Sequence, residues 1–209
     1  TADAAYWINK RFYHDDLRIT ALDVGQGNAT LVELPGGKCL LVDGGGFTGN
    51  STFDVGKMIV APFLWQNKIG TIDTLIVTHP DTDHLGGLLY IADHFNVKTI
   101  WSNGESADTR NYADFVDIAR KHKINWPAFD DLPRHQTWDG VQIEILYPPV
   151  DFLNQKPKPG WRDTNNNSLV VRLALGQTSF LFCGDIEKPA EAALINTAGA
   201  KLDSDVIFV

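Results

Sequence analysis

The 209-residue chain is 44% hydrophobic and 21% charged, with a net charge of −8, values that suit one compact α/β domain with a sizeable core. No run approaches the roughly 18 uninterrupted apolar residues of a membrane span, and Thr1 to Asp16 mixes aromatics with charges, unlike a signal peptide. The acidic balance argues against a broad polyanion-binding face, which reads basic, although bound divalent cations add positive charge that a side-chain count omits.

In chain order, residues 1–16 read as an N-terminal linker or extension and residues 17–209 as one domain. Leu17–Val24 alternates and predicts a strand; the turn Gly25-Gln26-Gly27-Asn28 leads to a second at Ala29–Leu34. Pro35 to Lys38 turns the chain into Cys39–Val42, which ends on Asp43-Gly44-Gly45-Gly46. From Val55 to Gln66 the apolar spacing becomes helical, with Asp54 placed to cap it. Ile72–Val77 predicts a buried strand, Leu85–Phe95 a helix and Lys98–Trp101 a short strand. Tyr112–His122 predicts a helix that turns Ala113, Phe115, Val116, Ile118 and Ala119 to the core.

Val141–Tyr147 is a further strand, and Pro148 to Asn167 a long loop of the kind that is often functional. Ser168–Leu175 and Thr178–Cys183 form a hairpin about Gly176-Gln177, and Glu187–Thr197 is helical. The chain stops inside the apolar run Val206–Val209, which predicts a domain that is incomplete at its C-terminal end. Strand–helix alternation with hairpins at both ends predicts an α+β sandwich of two sheets with helices outside. Cys39 and Cys183 sit in strand-like runs and read as buried small hydrophobes.

The densest chemical signal is Thr78-His79-Pro80-Asp81-Thr82-Asp83-His84, directly after a buried strand. Two imidazoles and two carboxylates this close together can converge on metal ions, imidazole suiting borderline metals and carboxylate harder ones. A plain solvated turn needs no pair of histidines. Asp43 and Asp23 each end a strand, and each is either a partner that holds a metal-ligating histidine or a carboxylate that stabilises its glycine turn. Lys158 and Arg162, in the loop around Trp161, offer cations to a phosphate backbone and an indole to a base.

The order Asp43-Gly44-Gly45, then His79-x-Asp81-x-Asp83-His84-x-Gly86-Gly87, then Cys183-Gly184-Asp185 resembles the metallo-β-lactamase superfamily over nearly the whole chain. Asp23 to Gly27, Thr78 to Asp81, Asn166 to Leu169 and Gly184 to Ile186 are similar more closely to the hydrolase domain of the ComEC family, the DNA-uptake channels of competent bacteria, and to stand-alone ComEC-like hydrolases. The resemblance implies a four-layer αββα sandwich. It implies that His79 and Asp81 hold one metal, that Asp83 and His84 hold a second, and that Asp185 bridges both. Asp81 stands where most members have a histidine, and no histidine occurs near Asn167, so Asn167 and Ser168 are read as metal-proximal or substrate-binding. The family's final histidine segment would follow Val209.

These departures make the site harder and favour two Mn²⁺ ions, with Zn²⁺ second. Two ions about 4 Å apart lower the pKa of a bridging water and stabilise charge on a phosphoryl group. Asp83 or Asp185 would orient that water and accept its proton. The resemblance implies a nuclease that degrades DNA during uptake, at the extracytoplasmic face of the inner membrane beside the channel portion of the same parent protein, or in the cytoplasm if stand-alone. A hydrolase of a small phosphodiester, ester or lactone, and a non-catalytic DNA-guiding scaffold with a partial metal site, stay open as alternatives.

Overall fold

The computed structural model describes residues 2–47, 52–150, 152–154 and 164–209, and ten strands and five α-helices lie among them. The chain forms two compact units: Thr1–Ile76, Asp81–Trp101 and Ala107–Trp126 in the first, Val77–Pro80, Ser102–Ser106 and Pro127–Val209 in the second.

In the first unit, the stretch read as a linker begins with a helix, α1 (Ala2–Phe12). Its Arg11 is buried, donates to Glu33 at 2.8 Å and to the Cys39 thiol at 3.3 Å, and so ties the helix to the sheet. That sheet has the order β1 (Arg18–Ala21), β2 (Thr30–Glu33), β3 (Cys39–Val42), β4 (Thr71–Val77), β5 (Asn96–Ser102). The first three strands form an antiparallel meander, and β3 pairs parallel with β4. All four residues of β3 are buried, the mark of a strand covered on both faces.

Between β3 and β4 the expected helix forms in two parts, a π-helical turn at Gly56–Val60 and α2 (Ala61–Gln66). Asp54 caps it as expected, accepting from Lys57 N at 2.9 Å. Helix α3 (Thr82–His94) starts earlier than the apolar spacing predicts, and α4 (Arg110–His122) packs on it. Phe115 and Ala119 of α4 are buried; Ala113, expected in the core, is exposed, because it lies on the solvent side of the same turn. The apolar interior of this unit is built from fully buried Leu31, Leu40, Leu75, Leu85, Leu88 and Phe115.

The second unit holds a sheet of order β10-β9-β8-β7-β6: β6 (His135–Trp138), β7 (Val141–Tyr147), β8 (Val170–Leu175), β9 (Thr178–Phe182) and β10 (Val206–Phe208). Neighbours are antiparallel except β9 and β10, which run parallel. Strand β7 buries alternate residues, Val141, Ile143, Ile145 and Tyr147. Helix α5 (Lys188–Ala198) lays Ala190 and Leu194 against Tyr147, Val170 and Leu181. The apolar run at the end of the chain is an edge strand with Val206 and Ile207 exposed.

Candidate metal centre

His84 is set by the turn that ends β3. Asp43 takes a left-handed conformation, φ 55°, which Asp tolerates better than most residues. Its amide donates to Ile76 O at 2.9 Å, and its Oδ2 accepts from His84 Nδ1 at 2.8 Å, with both side chains 1% exposed. The carboxylate holds the proton on Nδ1, so the ring's lone pair lies on Nε2, the arrangement of a metal-ligating histidine. Asp43 is thus seen as a partner of His84.

The helix that carries His84 lies directly on the same turn. Gly44 N donates to His84 O at 2.8 Å, and Gly87 N to Gly45 O at 2.8 Å. Such close approach requires glycine: a Cβ on Gly87 would stand 2.0 Å from Gly44 O. Gly27, with φ 68°, has the same role toward Asp83 O, where a Cβ would come within 1.7 Å. Asp81 precedes the helix, and its backbone oxygen accepts from His84 N and Leu85 N. Its side chain takes no part in capping. Asp81 and Asp83 are both half-buried.

His79 follows β4 directly and is 1% exposed. Ser168 Oγ lies 3.2 Å and Thr78 Oγ1 3.1 Å from its Nδ1. Ser168 donates its own hydroxyl hydrogen to Asn165 O at 2.8 Å, so its oxygen accepts from His79 Nδ1 and, at 3.2 Å, from Asp185 N. The network therefore assigns the His79 proton to Nδ1 and the lone pair to Nε2. One hydroxyl thus orients both His79 and the Asp185 backbone, and a carboxylate oxygen of Asp185 comes within 4.8 Å of a His79 ring nitrogen. Ser168, read as metal-proximal or substrate-binding, here holds the His79 ring and the Asp185 backbone.

Behind Ser168 lies a buried amide cluster. Asn166 Oδ1 accepts from Glu187 N at 3.1 Å and Ala190 N at 3.4 Å, capping α5, and its carbonyl accepts from Tyr147 Oη at 3.1 Å. Burial, helped by the charge of Glu105, raises the Tyr147 phenol above its ordinary value and keeps that donor protonated. Asn167 Nδ2 donates to Glu105 Oε1, and Asn103 Nδ2 donates to Asn167 O at 2.8 Å. Glu105 escapes a reading from sequence; its one signal is a polar, glycine-bearing turn, Ser102 to Glu105, just after a strand. Asp23 is exposed and makes no hydrogen bond or ion pair among the described residues. Lys158 and Arg162 lie outside the described residues.

Residues 22–205 match the model of the metallo-β-lactamase superfamily. The chain is 27% identical over 203 residues to ComE operon protein 3 of Bacillus subtilis (strain 168), covering 91% of this chain and 25% of that protein. It is 30% identical over 188 residues to Recombination protein 2 of Haemophilus influenzae, covering 89% of this chain and 20% of that one. The chain therefore spans about a quarter or less of the curated relatives it matches. Among solved structures, the diiron β-hydroxylase CmlA from Streptomyces venezuelae is alike with a TM-score of 0.50 at 17% identity, over 94% of this chain and 34% of that one. That likeness is one of fold. The α+β sandwich of the metallo-β-lactamase type expected from the sequence is borne out.

Proposed function

Because the chain belongs to the metallo-β-lactamase superfamily, we propose that it is a metal-dependent phosphodiesterase that hydrolyses DNA during uptake. The observation that carries the reading is the pair of buried histidines, His79 and His84, each held at Nδ1 so that Nε2 carries the lone pair. With the carboxylates of Asp81, Asp83 and Asp185 they would offer a mixed nitrogen and oxygen donor set of the kind that suits divalent cations, Mn²⁺ ahead of Zn²⁺. His79 and Asp81 would hold one ion, Asp83 and His84 the other, with Asp185 shared. When bound, such ions polarise a phosphoryl oxygen and acidify water.

The chain's own residues do the rest. Asp83 and Asp185 are the proton acceptors. Asp43 and Ser168 hold the imidazoles in orientation and tautomer. Lys158 and Arg162 are assigned to the phosphate backbone of the substrate. The name Recombination protein 2, borne by one of the two relatives, supports DNA over a small ester. Those relatives are several times longer than this chain, and no helix among the described residues is long and apolar enough to cross a membrane. In this reading a membrane channel lies elsewhere in the parent protein, with this domain on its extracytoplasmic side.

The test supplies Mn²⁺ to the purified chain and assays single- and double-stranded DNA, with Asp83→Ala and Asp185→Asn in parallel. The expected result is Mn²⁺-dependent cleavage that falls about 100-fold or more in both variants. Hydrolysis of small phosphodiesters or esters with DNA left intact would overturn the substrate. Absence of any metal uptake by elemental analysis would overturn the enzyme reading itself.

A further inference from the structure

We infer that Asn167 is a metal ligand through its side-chain oxygen, and that Glu105 is the positioning residue that turns that oxygen toward the metal. The inference rests on the metal-dependent reading above and assigns a ligand where this chain has no third histidine.

Asn167 is 1% exposed, and its Oδ1 accepts no hydrogen bond among the described residues. A buried amide oxygen left without a donor is costly, so such an atom calls for an occupant. The amide orientation is not ambiguous. Glu105 Oε1 is an acceptor and must face the Nδ2 donor, which leaves Oδ1 pointing the other way. The backbone is held as firmly: Asn167 N donates to Thr164 O at 3.2 Å, and Asn167 O accepts from Asn103 Nδ2 at 2.8 Å. Glu105 is itself fixed, its amide donating to Asn103 Oδ1 at 3.1 Å.

The position matches. Asn167 immediately precedes Ser168, whose hydroxyl holds both His79 and the Asp185 backbone, and consecutive Cα atoms are ~3.8 Å apart. The chemistry selects a cation over a phosphate. An amide oxygen has no proton to offer a phosphodiester, and the donor end of Asn167 abuts the Glu105 carboxylate, whose charge repels an anion. A hard divalent cation takes amide oxygen readily. Of the two roles open to Asn167 this selects the metal over the substrate, and it adds a further oxygen to a site already rich in carboxylate.

The test measures Mn²⁺ affinity of the chain by calorimetry, and the bound-ion spectrum by electron paramagnetic resonance, for wild type, Asn167→Ala, Glu105→Gln and the double exchange Glu105→Gln/Asn167→Asp. Asn167→Ala is expected to weaken Mn²⁺ about tenfold or more. Glu105→Gln is expected to weaken it about tenfold, since a glutamine amide, both donor and acceptor, no longer dictates which end of Asn167 faces it. In the double exchange the introduced amide donates to one oxygen of the introduced carboxylate and leaves the other to the ion. Affinity then returns to within about threefold of wild type, and the spectrum is restored. Wild-type affinity in Asn167→Ala overturns the ligand assignment. Failure of the double exchange to recover, with its apo melting temperature unchanged, overturns the role of Glu105. If wild type itself takes up no Mn²⁺, the functional reading falls first, so the two failures are distinguishable.

Discussion

Asp43 and His84 are 41 positions apart in the chain and 2.8 Å apart in the fold. The carboxylate is buried, and the imidazole it faces is its hydrogen-bond donor. Asp43→Asn tests this at the level of one atom. Asparagine tolerates the same left-handed backbone, so the turn is retained, but its neutral amide accepts more weakly than a carboxylate and no longer dictates which end faces the ring. Metal affinity, read by competition against a fluorescent chelator, is expected to fall about 10–100-fold, while the apo protein melts near the wild-type temperature. An unchanged affinity would show that His84 needs no such partner. The sequence alone leaves Asp43 divided between this role and turn capping, and Asp23 likewise. Only the distance to His84 separates them, because both residues end strands in front of glycine turns.

Glycine makes the contact between the β3 turn and α3 possible, and this is the scale of elements. Gly87→Ala pushes a Cβ to 2.0 Å from Gly44 O, an overlap that no side-chain rotation relieves. Urea melts should show a loss of about 3 kcal/mol or more. Gly70→Ala, where nothing lies within 4 Å, should stay within about 0.5 kcal/mol. Equal effects from the two would remove close packing as the cause. Most elements are legible as local patterns: β3, β4, β7 and α4 appear where alternation or helical spacing puts them. Strand β6 does not, because His135-Gln136-Thr137-Trp138 has no apolar face and is a strand only through its pairing with β7. The start of α3 is also hidden. Polar Thr82, Asp83 and His84 read as loop, yet Asp81 O accepts from His84 N and Leu85 N and begins the helix there.

For the molecule as a whole, pH exposes the cost of its buried thiols. Burial pushes Cys39 up to about 11, with Arg11 beside it offsetting only part of the effect, and burial likewise pushes Cys183 up to about 11, both from an ordinary 9.0. The folded state thus favours the neutral thiol. Its contribution is fully present below pH 9 and is lost as the pH rises through about 11. Each thiol contributes at most on the order of 3 kcal/mol across that window. Stability measured by urea at pH 8 and pH 11 should fall less steeply in Cys39→Ala/Cys183→Ala than in wild type; parallel slopes would assign the alkaline loss to lysines instead. Local sequence is enough to single out His79, Asp81, Asp83 and His84 as candidates, since they share one short run after a buried strand, and the glycine and aspartate turns around it mark the family. Which nitrogen of each imidazole carries the lone pair, and that Asn167 bonds Glu105 and Ser168 bonds His79, depends on partners 41, 62 and 89 positions apart. Those pairings follow from strand order and register, and hydrogen bonds of that reach leave no periodic trace in the chain.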